Sequence, residues 1–342
     1  MRPLTLERAK PVVPLLGRPF LAYQLALLRE HGVTDVILAC SYRVDDVRQA
    51  LGEGEHLGVR LRYVIEDEPL GTGGGVRNAA DLARGTVFVL NGDVLTDADL
   101  TAMRRFHEAR GSRTTIFLMP VDDPRAYGLV ETEPDGRLRR FREKPGPDEP
   151  ITTNMINAGI YLIDAALLAR IPAGRVVSIE REFFPGLIAD GVPSYGWTDT
   201  AYWRDIGSPA AYRDAQVDML DGRVRSLLRP PGERRESSWV APTARLAPDA
   251  RLHGPSVVGE RVEIGRRARV GPLSVVGDGS RIGDDARVEG AILWEDVTVG
   301  AGATLRDCIV AAGVTVGAHA DIGPGAVLEP NATIPAHATV AP

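Results

Sequence analysis

The sequence predicts two folds in tandem: an α/β fold on a Rossmann-like, mostly parallel sheet, followed by a parallel β-helix. Three observations predict this. From about residue 30 to 220, short β-branched runs alternate with helical patterns, as strands covered by crossover helices do. Around "LLRPPGERRESSW" the pattern dissolves into proline, glycine and charge, which suits an exposed linker. Beyond it, apolar residues recur at every sixth position. A chain of 342 residues also exceeds the usual size of a single core. The expected division is 1–222, a linker at 223–238, and 239–342.

In the first part, "VTDVILACS", "VRLRYVIED", "TVFVLNGD", "RTTIFLMPV" and "INAGIYLID" read as strands. Between them "PFLAYQLALLREHG", "VDDVRQALG", "GVRNAADLA" and "DLTAMRRFHEARG" read as helices, the first and last closing on glycine. "YGLVETEPDGRLRRFREKP" is two alternating runs around a Pro-Asp-Gly turn, so it reads as an antiparallel hairpin inserted into the parallel order.

In the last part the register runs unbroken through Val240, Leu246, Leu252, Val258, Ile264, Val270, Val276, Ile282 and Val288, with glycine following at Gly259, Gly265, Gly271, Gly277 and Gly283. One-residue deletions then shift it to Leu293, Val299 and Leu305, and again to Val310 and beyond. A period of six is wrong for a helix. It matches hexapeptide coils, where each repeat makes one side, the inward residue is branched and apolar, and the corners are small.

A formal charge of −6 gives no basic field for nucleic acid or an anionic membrane, so neither partner is expected. No apolar run approaches about 18 residues, so no transmembrane span or signal peptide is expected either, and a cytoplasmic location follows. Cys40 and Cys308 are too few for a disulfide framework or a zinc site and suit a reducing compartment as small buried residues.

"VFVLNGD" ends an apolar strand in Asp93, and in open α/β sheets ligands bind beyond the carboxyl ends of strands; Asn-Gly-Asp is equally a plain turn sequence. Asp205, in "AYWRDIGSP", is a second isolated carboxylate before a helix start. Magnesium bound to phosphates takes only one or two protein carboxylates, so two such aspartates suffice if the fold unites them. "EPLGTGGGVRNA" sets a glycine-rich turn before a helix, where backbone N–H groups and the helix dipole would favour an anion, although taken alone the run reads first as a flexible connector. It has neither the P-loop ending nor dinucleotide spacing.

Taken together, "RPLTLERAKPVVPLLGRPF", "EPLGTGGGVRNA", "VLNGDV", "YGLVETEPDGRLRRFREKP", "INAGIYLI", "SIEREFFPGLIADG" and "YWRDIGSPAAY" occur in order and at the approximate spacing of one family. Over residues 2 to about 220 the chain resembles the sugar-1-phosphate nucleotidyltransferases, or nucleotide-sugar pyrophosphorylases. It looks most like the mannose-1-phosphate and heptose-phosphate guanylyltransferases; the coil after the linker resembles the left-handed β-helix of the hexapeptide-repeat family, which the longer nucleotidyltransferases carry. The resemblance implies attack by a sugar-1-phosphate oxygen on the α-phosphorus of a nucleoside triphosphate, with pyrophosphate leaving.

The resemblance further implies that Asp93 and Asp205 hold Mg²⁺, that Lys10 contacts the triphosphate, and that Lys144 contacts the sugar 1-phosphate. These are the only two lysines among 40 basic residues. An ammonium is a compact point charge that turns freely among phosphate oxygens, which a guanidinium fork does not. Glu66 matches the position where relatives read the base. A carboxylate accepts from the two adjacent donors of guanine, whereas uracil and thymine present one donor between two carbonyls, so GTP is expected over UTP or dTTP. Gly71 would admit the base, and Gly128, Glu143 and Asn157 match positions that bind the sugar.

At one point the chain departs from the family. Its members begin with a strand and a G-x-G-T-R loop immediately before Leu-Arg-Pro-Leu-Thr, and Met1 stands at that leucine; Arg2 is not the loop arginine. The expectation is a natural protein roughly 15–25 residues longer, with low or absent activity for the chain as it stands. Alternatives are a glucose-1-phosphate uridylyl- or thymidylyltransferase and a non-catalytic regulatory subunit. Acyl transfer by the β-helix would use His253, His319 or His337, and a structural, homo-oligomerising role for that domain is the preferred expectation.

Overall fold

The computed structural model describes residues 1–341. It forms two compact units, one of Gln24–Trp203 and one of Met1–Tyr23 together with the chain from Arg204 onward. In chain order the elements are α1 (Phe20–Glu30), β1 (Asp35–Cys40), α2 (Val44–Leu51), β2 (Arg60–Ile65), α3 (Gly71–Ala79), β3 (Thr86–Leu90), α4 (Leu100–Ala109), β4 (Thr114–Pro120), β5 (Gly128–Thr132), β6 (Leu138–Glu143) and β7 (Met155–Asp164). They continue with α5 (Phe184–Ala189), β8 (Ser194–Thr198) and α6 (Pro209–Leu220).

All five strands read from the β-branched runs are present. Within Gln24–Trp203, β1 and β2 pair in parallel from Asp35–Arg60 to Cys40–Ile65, and β8 lies parallel to β4. The long β7 runs antiparallel to β3, β4 and β5, and β5–β6 is the hairpin turned by the Pro-Asp-Gly sequence. Strand β7 anchors this sheet because Ile160, Tyr161, Leu162 and Ile163 are almost fully buried. Its register against β4 slips between Asn157 and Tyr161, a bulge of the kind that re-aims side chains beside binding sites. Tyr161 and Phe141 pack on Phe184, with ring centroids 4.8 and 5.6 Å away.

The glycine run differs from a flexible connector: α3 begins at Gly71, so the glycines form its first turns. Close packing is the reason. A Cβ on Gly71 would come within 2.7 Å of the Val177 carbonyl oxygen, at a φ of +73° that side chains avoid.

In the other unit the six-residue period becomes a left-handed parallel β-helix of three sheets, each of six parallel strands, one of them extended by an antiparallel seventh. Val258, Val270, Val276, Val288 and Leu305 point inward at 0–1% exposure. The two deletions cost no pairing: Val276, Leu293 and Val310 stay in cross-strand register. The shortened corners carry Gly290 and Asp307 in the left-handed region, at φ of 59° and 47°. Glu233–Arg235, inside the stretch 223–238, folds back antiparallel on Ser238–Val240. No helix among the described residues is long and apolar enough to cross a membrane. Cys308 is buried, and burial pushes its thiol up to about 12; Cys40 is half-buried.

Because each coil rests on its neighbours, a cavity in the middle of the stack propagates. Leu305→Ala is expected to cost about 2–5 kcal/mol in urea unfolding of the β-helix, the range for a buried leucine truncation. A loss below about 1 kcal/mol would contradict the stacked core.

Candidate active site

In the unit Gln24–Trp203, Asp93 is half-buried in the turn after β3. That turn is braced by Gln24, whose Nε2 donates to the carbonyls of Asn91 (2.8 Å) and Val94 (2.6 Å) on either side of it. Gln24 is itself buried, so losing the amide would strand two carbonyls. Sequence reasoning missed it, although a single glutamine in an otherwise apolar helix segment was a signal. The Asn91 N–H donates to the Gly159 carbonyl at 2.8 Å, linking the turn to the bulge in β7.

The same bulge places Asn157. Its Nδ2 donates to the Tyr161 hydroxyl (2.8 Å), and its Oδ1 accepts from the Gly159 N–H (3.0 Å). Burial, then the charges of Glu180 and Glu143, raises the Tyr161 pKa well above the ordinary phenol value. Glu143 closes β6 opposite Gly128, and a Cβ on Gly128 would lie 2.6 Å from Glu143 Oε2, so this glycine makes room for the carboxylate. Burial, and secondarily the charge of Glu180, pushes Glu143 above the usual carboxylate range; Lys144 and Arg181 oppose the shift.

Glu180 is a second residue that the sequence reading missed, although it stands in the quoted "SIEREFFPGL". It lies in a π-helical turn, Ile179–Phe183, and its Oε2 accepts from Thr72 Oγ1 and Ser178 Oγ, both at 2.7 Å. Such turns recur at functional sites. Glu143, Asn157, Tyr161 and Glu180 thus form one polar group with acceptors suited to sugar hydroxyls.

Lys144 follows at φ +47°, a left-handed conformation that costs a side chain about 1–2 kcal/mol. Its ammonium is 4.0 Å from Glu143 Oε1 and its side chain is 61% exposed. Glu66 is buried: Oε2 accepts the Leu70 N–H at 3.0 Å, and Oε1 packs where a Cβ on Gly75 would be 2.5 Å away. The start of α3 is no open anion cradle, since the N–H groups of Gly73 (2.8 Å) and Gly74 (3.3 Å) both donate to the Val177 carbonyl. Gly71 likewise serves internal packing, its Cα facing the Val177 carbonyl.

Lys10 and Asp205 belong to the other unit. Lys10 opens the 3₁₀ turn Lys10–Val12 and is half-buried. Asp205 ends the short strand Trp203–Asp205. Its neighbour Arg204 is tied to α6, donating to Asp218 Oδ2 (2.8 and 3.1 Å) and Asp214 Oδ2 (3.1 Å). Both charges reach the Met1 amine, whose pKa is lowered first by partial burial, then by Lys10, and is raised by Asp205. In the β-helix His253, His319 and His337 are all exposed, and the last two stack with centroids 5.2 Å apart.

The model of a nucleotidyl transferase domain matches residues 1–222. The chain belongs to the nucleotidyl transferase family. Residues 235–340 match the left-handed β-helix domain described for the EIF2B subunit epsilon. Among curated relatives of this nucleotidyl transferase, a mannose-1-phosphate guanylyltransferase of Mycobacterium tuberculosis is 42% identical over 262 residues, spanning 76% of this chain and 71% of the relative. The mannose-1-phosphate guanylyltransferase catalytic subunit beta of Drosophila pseudoobscura pseudoobscura is 38% identical over 61% of this chain and 56% of its own length. A crystal structure of HddC from Yersinia pseudotuberculosis complexed with GMP-PN is 27% identical, covers 64% of this chain and 93% of that one, and superposes with a TM-score of 0.54.

The raised pKa of Glu143 has a signed consequence. Its contribution to stability is full below the ordinary carboxylate pKa and is lost as pH rises through the raised value. Glu143→Gln, which stays neutral, is expected to gain on the parent as pH rises from roughly 4 to 8, read by urea unfolding at both ends. A variant that instead falls further behind at the higher pH would contradict the burial argument.

Proposed function

We propose that this nucleotidyltransferase forms a nucleoside-diphosphate sugar and pyrophosphate from a nucleoside triphosphate and a sugar 1-phosphate, with GTP and mannose 1-phosphate as its substrates. The observation that carries the reading is the 42% identity to a mannose-1-phosphate guanylyltransferase over 76% of the chain. Residues 1–222 would be the catalytic domain, 223–238 the linker and 239–342 the assembly domain.

In the reaction, a phosphate oxygen of the sugar 1-phosphate bonds to the α-phosphorus as the bond from that phosphorus to the β-phosphate bridging oxygen breaks. Little covalent work falls to the protein, and alignment and charge compensation do most of it. Lys10 is assigned to the triphosphate and Lys144 to the sugar phosphate. The strained backbone at Lys144 and its exposed amine suit a charge that must reach a ligand. Glu143, Asn157 and, through the backbone, Gly128 are assigned to the sugar hydroxyls. Glu66 is assigned to guanine; a carboxylate has about four acceptor sites, and the Leu70 N–H occupies one. Gly71 is assigned to the same base site.

Asp93 and Asp205 would hold Mg²⁺. Their chemistry fits a hard cation: both are carboxylates and both are only half-buried. Among the described residues no group of three or more histidine, cysteine or acidic side chains could hold a metal, so waters and phosphate oxygens would complete its shell. When bound, such an ion neutralises the phosphate oxygens and the departing pyrophosphate. The chain is further proposed to be cytoplasmic, in keeping with its free thiols, and to form a homo-oligomer through the β-helix.

A matrix of four triphosphates against several sugar 1-phosphates, read by pyrophosphate release, tests the assignment. GTP with mannose 1-phosphate is expected to give the highest kcat/KM, and Lys144→Arg to lower it by about 10- to 100-fold while leaving the base preference intact. A preference for UTP or dTTP would overturn the role of Glu66.

A further inference from the structure

The segment that carries Lys10 has little secondary structure of its own. It makes one 3₁₀ turn and the short hairpin of Pro14–Leu15 against Arg18–Pro19. Beyond the Tyr23 hydroxyl, which donates to the Leu15 carbonyl at 3.0 Å, a set of side chains from the far end of the sequence holds it, all inside one compact unit. The Gln216 side-chain amide of α6 accepts the Leu16 N–H at 2.8 Å and donates to the Pro14 carbonyl at 2.7 Å. The Tyr212 hydroxyl donates to the same carbonyl and accepts the Trp294 indole N–H at 3.0 Å. Trp294 belongs to the β-helix. Beside it, Glu295 pairs with Arg8, whose guanidinium stacks on the Trp294 ring at 4.9 Å.

Helix α6 is seated on the coil by Arg213, which donates to the Gly290 carbonyl and pairs with Asp307. Gly290 and Asp307 are the corners where the hexapeptide register loses a residue. The irregularity in the repeat is therefore the docking point, and Trp294–Glu295 follows it directly. Tyr212, Gln216 and Trp294 are at most 2% exposed, so each hydrogen bond is made without water and none can be dropped cheaply.

We infer that the β-helix coil at Trp294–Glu295, relayed through Tyr212 and Gln216, positions the Lys10 ammonium for the triphosphate. Trp294, Glu295 and Arg8 are then positioning residues for a reaction that none of them touches. The inference rests on the proposed contact of Lys10 with the triphosphate. It gives the β-helix a part in catalysis in addition to any part in assembly.

The test uses the full chain with Glu295→Ala, Trp294→Phe and Lys10→Ala, singly and in pairs. Amide hydrogen exchange is followed across residues 10–16, and affinity for magnesium-GTP is followed by calorimetry. Glu295→Ala and Trp294→Phe are each expected to speed exchange at Leu16 by about tenfold while amides inward of Leu305 keep their protection. Each is also expected to weaken GTP binding by about fivefold, and to have no further effect once Lys10 is alanine, which a merely structural defect would not show. Unchanged exchange at Leu16, or losses that add fully to that of Lys10→Ala, would overturn the inference. If Lys10→Ala alone leaves GTP affinity intact while the clamp variants still loosen Leu16, the assignment of Lys10 falls, and the inference falls with it.

Discussion

The carbonyl of Pro14 accepts hydrogen bonds from two buried side chains of a single helix, and much of the N-terminal segment's shape depends on that one oxygen. Its neighbour Leu16 gives its N–H to the same glutamine. Each bond contributes about 1 kcal/mol net, but an orphaned member costs about 1–3 kcal/mol, so the group forms together or not at all. Trp294 extends the set into the β-helix, and Arg213 fixes the helix at the coil's two shortened corners. A solenoid is usually rigid and repetitive. Here the break in repetition is what gives the rest of the unit something to grip.

The other unit is organised around acids removed from water. Glu143 and Glu180 lie in one polar group with Tyr161 and Asn157, and two of these groups carry pKa values raised chiefly by burial. Such a site is uncomfortable without a ligand, because its acceptors outnumber its donors. Hydroxyl donors of the proposed sugar ligand would relieve that imbalance and pass their own selectivity to the site. The bulge in β7 and the glycine at residue 128 are the backbone devices that make it possible.

Much of this was legible in the sequence because it obeys a period. Nine inward residues in one register specified the β-helix, and alternating β-branched runs specified the strands around it. Asp93 was visible as a carboxylate at a strand end, and Lys10 and Lys144 as two amines in a chain of arginines. Gln24 left only the faint signal of one glutamine in an apolar helix, and Glu180 and the clamp on Pro14 left none, because their meaning lies in pairs such as Glu180 and Thr72, Gln216 and Leu16, or Tyr212 and Trp294, which no local pattern joins. The glycine run was legible only as a turn ahead of a helix and not as the helix's own first turns, since the partner that demands glycine, the Val177 carbonyl, is about a hundred residues away. The deletions at the β-helix corners were seen, and only the docked arginine gave them a reason.

The most direct test follows the α-phosphorus itself. The protein is incubated with magnesium, mannose 1-phosphate and GTP radiolabelled at the α-phosphate, and the products are separated. The account predicts all of the transferred label in GDP-mannose and none in pyrophosphate. Label left in GDP or free phosphate with no sugar nucleotide formed would contradict it.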